Sequence, residues 1–184
     1  IVVEICSACM PNLTGVDSTF MQSSSDLVGK PDPFAVLKLT RDKRNEAGDL
    51  VMDQIGVTRR CEYKTDTNAP SFRFHADLGV EASDDQVLVV EVWDYDTFSS
   101  DDFLGVAVVR VGDLAESPKL FQLFGGKVEK GDESYPKAFK ADWLSKQVPL
   151  SADHDSRRRT LEATRSGGAE HGASSWVELR RCSR

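Results

Sequence analysis

The chain has 184 residues, of which 40% are hydrophobic and 29% charged, and its formal net charge is −7. That length and apolar share fit one packed globular domain spanning 1–184 with insertions. The acidic balance argues against affinity for nucleic acid, and for anionic lipid too unless a bound cation reverses it locally; no run of about eighteen apolar residues is present to span a bilayer.

Short segments rich in β-branched residues, each bounded by Gly, Pro, Asp, Asn or Ser, predict an all-β domain. Eight strands are expected, near Ile1 to Cys6, Phe34 to Thr40, Gly56 to Tyr63, Phe72 to Ala76, Gln86 to Trp93, Leu104 to Val111, Ser145 to Leu150 and Ser175 to Arg181. The first begins at Ile1 in an apolar run with no signal-peptide layout, so an excerpt of a larger protein is expected. It runs into Cys6 and Cys9, a C-x-x-C pair within a strand pattern that has no second C-x-x-C and no nearby His to complete a zinc site. Alternation is clearest where Ala35, Leu37 and Leu39 flank Lys38, and where Phe72 and Phe74 interleave with Arg73 and His75. Strands of this kind bury one face, and two packed antiparallel sheets would bury all the apolar sets. Long insertions are expected near 112–144, where KAFKADWL is a candidate short helix, and near 151–173, a polar stretch rich in Ser, Gly and Arg.

If consecutive strands run antiparallel, the connections after the first, third, fifth and seventh emerge at one end of the sandwich. That end collects Ser7 to Pro33, Lys64 to Ser71, Asp94 to Phe103 and Ser151 to Ser174. The first connection holds Asp26 and Asp32 in DLVGKPDP; the third holds Asp94, Asp96, Asp101 and Asp102 in WDYDTFSSDD. Carboxylates so crowded cannot all stay ionised without compensation, and a hard divalent cation supplies it. Calcium, with six to eight oxygens in flexible geometry, suits two irregular Asp-rich loops better than magnesium, which demands an octahedron, or zinc, which prefers His and Cys. The plain alternative is that each loop is a solvated turn capped by its own aspartates.

These residues resemble the C2 domains, calcium-dependent phospholipid-binding modules. DLVGKPDPFAVLKL is similar to the family's first calcium loop with its Asp-Pro-aromatic, and VVEVWDYDTFSSDDFLGVAVV to its third, with D-x-D ahead of an acid and the next strand. TNAPSFRF resembles an Asn-Pro-x-aromatic segment with Ala69 inserted, and WLSKQVPL and SWVELRR resemble the last two strands. The resemblance implies an eight-stranded antiparallel β-sandwich of type II strand order. It implies Asp26 and Asp32 as first-loop ligands, Asp94 and Asp96 as bridging ligands and Asp102 as the last carboxylate, for two or three calcium ions. Ser99 and the carbonyls of Leu27, Tyr95 and Ser100 would add oxygens; Asp101 would be a neighbour that raises local negative charge, and Asp17 is an alternative first-loop acid.

Calcium at this end would reverse the local field and attract anionic lipid. Leu27, Val28 and Phe98, placed among the ligand aspartates, are expected to enter the bilayer interface. Lys38, Arg60 and Lys64 are candidates for a phosphoinositide headgroup face, and Arg157, Arg158, Arg159 and Arg165 for further anionic-lipid contact. The expected partner is therefore an anionic membrane rich in phosphatidylserine, for a cytoplasmic protein that becomes peripheral on calcium binding and serves membrane trafficking, vesicle fusion, exocytosis or signalling. Two rivals remain. One is a C2-fold protein-interaction module; the other is a carboxylate-based hydrolase, which lacks a nucleophile motif or an enclosed pocket.

Overall fold

The computed structural model describes residues 1–10, 30–97, 101–124, 138–139, 144–145, 147–148 and 175–183. In chain order its strands are β1 (Val2–Cys9), β2 (Pro33–Arg41), β3 (Leu50–Val51), β4 (Gln54–Arg60), β5 (Ser71–Asp77), β6 (Gln86–Asp94), β7 (Asp102–Arg110), β8 (Lys119–Gln122), β9 (Ala138–Phe139), β10 (Gln147–Val148) and β11 (Trp176–Cys182). A 3-10 turn, Val111–Asp113, follows β7. One sheet has the order β10-β8-β11-β1-β5, the other β4-β2-β6-β7, and β3 pairs with β9 in a short third ladder. All of these strand pairs are antiparallel, as the alternating segments predict.

The main core lies between the two large sheets. Val3 and Ile5 of β1, Leu37 and Leu39 of β2, Leu88, Val90 and Val92 of β6 and Val177 and Leu179 of β11 are fully buried there. Alternation along β1 and β2 leaves Glu4 and Lys38 on the opposite faces. In β6 alternation is lost, because Val87 and Val89 join Leu50, Val106 and Val108 in a second apolar cluster on the outer face of the same sheet. Phe103, Phe124, Leu144 and Met52 pack on that cluster. A central strand covered on both faces needs a continuous apolar run, and this is why VLVV has no polar partner residues.

One expectation is corrected, and two others meet the structure only at their described residues. Lys119–Gln122, inside the stretch read as a loop near 112–144, is a strand held between β10 and β11. Within KAFKADWL no helix is found among the described residues: Ala138–Phe139 is strand, pairing with Leu50–Val51, and Leu144 forms a bridge with Val108. Within the strand expected from Ser145 to Leu150, Gln147–Val148 is strand, whereas Ser145 lies outside it: its backbone N–H donates to the Val108 carbonyl at 2.7 Å and its hydroxyl accepts the Val108 N–H at 2.9 Å.

The third predicted strand starts earlier than expected, at Gln54, and passes through Gly56 with φ of +66°. A Cβ on Gly56 would stand 2.2 Å from the Leu78 carbonyl oxygen, the same oxygen that accepts the Val57 N–H. Gly56→Ala is therefore expected to destabilise the domain by more than about 1 kcal/mol, combining a strained φ with a backbone collision. A lowered urea midpoint with unchanged m-value checks this.

Candidate cation site at the loop end

Pairing of β2 with β6 sets Pro33 opposite Asp94, and pairing of β6 with β7 sets Asp94 opposite Asp102. A register shift after Val92 offsets Trp93 against Phe103 and turns the strand end outward. Two hydrogen bonds then staple the first and third connections together. The Asp32 N–H donates to Asp94 Oδ1 at 2.6 Å, and the Tyr95 N–H donates to the Asp32 carbonyl at 3.1 Å. On the far side of Asp32, the Asp66 N–H donates to Asp32 Oδ1 at 2.6 Å and the Lys30 N–H to Asp66 Oδ1 at 3.1 Å. Asp66 has a φ of 52°. Thr67 and Lys64 donate their backbone N–H groups to the carbonyls of Pro31 and Pro33. Segment 30–33 is thus held between the connection carrying Asp66 and the one carrying Asp94.

The charges interact. Burial raises the Asp94 carboxyl above its ordinary 3.8, and the negative charges of Asp96, Asp32 and Asp102 push it further, against the Asp32 amide that lowers it. Four aspartates predicted from two loops therefore share one electrostatic environment. Because the folded value lies above the unfolded one, the stability tied to the protonated form is complete below about 3.8 and is lost as pH rises through the folded value. Asp94→Asn keeps the Oδ1 acceptor and deletes the charge, so in calcium-free buffer it should melt higher than wild type at neutral pH, by about 1 kcal/mol at most after solvent screening. The advantage should vanish below pH 3.8 in a series of thermal melts.

Asp101 has a role beyond added negative charge. Its Oδ1 accepts the Asp96 N–H at 3.2 Å and its Oδ2 lies 3.7 Å from Arg60 Nη2. Arg60 stacks its guanidinium 3.7 Å above the Phe34 ring. Tyr95, between two aspartates, lies flat on Tyr63 with centroids 4.5 Å apart. Sequence reading missed Asp66, although it brought the connection Lys64 to Ser71 to this end, and it missed Tyr63, the last residue of the strand expected before that connection.

Of the other expected site residues, Lys38 is engaged with Glu91 at 2.9 Å, its side chain 20% exposed and that of Glu91 1% exposed. Lys64 is half-buried beside segment 30–33, and Arg60 faces Asp101 rather than Lys38. Asp26, Leu27, Val28, Phe98, Ser99, Ser100, Arg157, Arg158, Arg159 and Arg165, with Asp17, lie outside the described residues. Cys6 and Cys9 do not act as a pair: Cys9 is buried, while Cys6 occupies the β1 bulge and is half-exposed.

Whether calcium suits these residues rests on the donor chemistry. Asp32, Asp94, Asp96 and Asp102 offer hard oxygens, and the repulsion felt by Asp94 is what a divalent cation relieves. They stand open: the group of three donor atoms within 4.8 Å of one another found among the described residues lies elsewhere, at Glu4, His75 and Cys182. A family model for the C2 domain matches residues 16–124, more than half of the chain and both acidic connections. The chain belongs to the C2 domain family.

This C2 domain is also similar to 16 kDa phloem protein 1 of Arabidopsis thaliana, at 32% identity over 92 residues. That match covers 50% of the chain and 53% of the relative, so the chain spans about half the length of the curated relative it matches. Among solved structures it is similar to the C2 domain lettered A of plant Extended Synaptotagmin 1, with 15% identity, 100% of this chain and 95% of that chain covered, and a TM-score of 0.46. Human GIVD cytosolic phospholipase A2 shares 15% identity over 97% of this chain and 15% of its own, with a TM-score of 0.46. The C2 domain lettered A of RIM from Drosophila shares 18% identity over 61% of this chain and 75% of its own, with a TM-score of 0.38. Membership of the family supports a membrane-lipid or protein-interaction module. No described helix is long and apolar enough to cross a membrane.

Proposed function

We propose that this C2 domain binds anionic phospholipid membranes when calcium occupies its acidic loop end. The observation that carries the reading is the convergence on Asp94 of Asp32, Asp96 and Asp102, three charges from separate strand ends. Bound calcium supplies positive charge there and open ligand positions for lipid phosphate or serine carboxylate. Asp32, Asp94, Asp96 and Asp102 would hold it, joined by Asp26, Ser99 and the carbonyls of Leu27, Tyr95 and Ser100. Leu27, Val28 and Phe98 would then enter the interface. Arg60 and Lys64 stand at the same end and would meet headgroups, with Lys38, Arg157, Arg158, Arg159 and Arg165 as further contacts for phosphatidylserine or phosphoinositide.

In this reading the domain is a non-catalytic targeting module of a larger cytoplasmic protein, peripheral on membranes, in trafficking, exocytosis or signalling. Calorimetric titration with calcium, with and without phosphatidylserine liposomes, tests it. Calcium heat that strengthens when lipid is present supports the proposal, because the coupling between two ligands is reciprocal. No heat at millimolar calcium defeats it, and calcium binding without lipid capture favours a protein-interaction module.

A further inference from the structure

We propose that the outer face of β5, β1 and β11 carries a second cation site, for a thiophilic divalent ion of the zinc class, built from Glu4, His75 and Cys182. Strand register creates it. Glu4 pairs with His75 on one side and with Arg180 on the other, and Val2 pairs with Cys182. The three side chains leave the sheet on the face opposite the core residues Val3, Ile5 and Leu179, and their donor atoms all lie within 4.8 Å of one another.

Imidazole, thiolate and carboxylate together are borderline-soft donors that suit zinc and poorly suit calcium. Tetrahedral bonds of about 2.0 to 2.3 Å set donors roughly 3.6 Å apart; His75 Nε2 already lies 3.2 Å from Glu4 Oε2, and no pair in the group exceeds 4.8 Å, so the contraction needed is little more than about an ångström at most. The His75 side chain is 57% exposed and has room to make that movement. Arg180 Nε and Nη2 both reach Glu4 Oε2, the oxygen that also lies 3.2 Å from His75 Nε2, and hold the carboxylate in place as outer-shell partners of metal ligands do. Cys182 also lines an open cavity of about 240 Å³ with Ile1, Val2, Glu81, Ala82 and Arg181. Binding exchanges the thiol proton of Cys182, released to solvent, for the metal bond. Water, or the thiol of Cys6 at the neighbouring bulge, takes the fourth position. The site sits near the start of β1, whereas the acidic loops follow its end, roughly 15 Å away at the rise of an extended strand.

Titration of the chain with Co²⁺ in saturating calcium tests the proposal through absorbance. One equivalent is expected, with a thiolate-to-cobalt charge-transfer band that Zn²⁺ abolishes. Cys182→Ser should remove the band, and His75→Ala, at an exposed position, should weaken binding about tenfold or more, while far-UV dichroism stays unchanged. Asp94→Asn with Asp96→Asn should leave the band intact. No band in the wild type, a band that persists in Cys182→Ser, or one that disappears with the two aspartates overturns it.

Discussion

Asp94→Asn combined with Asp96→Asn is expected to leave the sandwich folded and to reduce calcium-dependent liposome capture to background. Both side chains sit at the outer end of β6, half-exposed, and Asn at Asp94 still accepts the Asp32 N–H. Lost with the charges is the electrostatic demand for a cation: Asp32 and Asp102 remain, yet on opposite neighbours of β6 with no carboxylate of β6 between them. Co-sedimentation with phosphatidylserine vesicles at saturating and zero calcium reads the effect, and a thermal melt controls for folding. Capture that survives both substitutions would mean that WDYDTFSSDD is a solvated turn and that the domain meets membranes by another surface.

The second large effect concerns Lys38. Glu91 is 1% exposed on the outer face of β6, held by the Lys38 ammonium and by the Trp93 Nε1–H at 3.0 Å. Burial raises its carboxyl above 4.5 even against those two partners. Lys38→Met removes the countercharge and leaves a carboxylate that water barely reaches, which should cost about 3 kcal/mol at neutral pH. Since the folded value rises further in this variant, the deficit is complete above that value, fades as pH falls from it towards 4.5, and is gone below about 4.5, where Glu91 is protonated in both states. Urea midpoints measured across that range should show the recovery, and Lys38→Met with Glu91→Gln should regain most of the loss at pH 7. An equal loss in the Glu91→Gln background would assign the cost to packing of the lysine stem. Lys38 thus has a structural task in the free domain, whatever it contributes at a headgroup.

How much of this was legible in the sequence depends on the distance over which each feature is decided. Alternation in β2 and the apolar run of β6 are local, and both strands were found within a residue or two of their ends. The gathering of Asp32, Asp94 and Asp102 needed only strand parity, because antiparallel order alone brings those connections together. Lys119–Gln122 was missed because so short a run is a strand only by virtue of β11, over fifty residues later. Asp101 meeting Arg60 depends on the edge strand β4 ending where Val36 pairs with Arg60, a register that no motif encodes. The same holds for Glu4, His75 and Cys182. No histidine stands near C-x-x-C in sequence, while the sheet supplies His75 opposite Glu4 on β1.

The place of β11 between β8 and β1 sets the order in which this chain can mature. Until Trp176–Cys182 has left the ribosome, β1 waits with one unpaired edge and β8 with another, so the two halves of that sheet cannot join. Such long-range closure slows folding, and the nascent chain spends that interval with open strand edges that invite pairing with other chains. A form of the protein stopped short of Trp176 lacks the strand that joins those two edges, and is expected to aggregate more readily than the full chain.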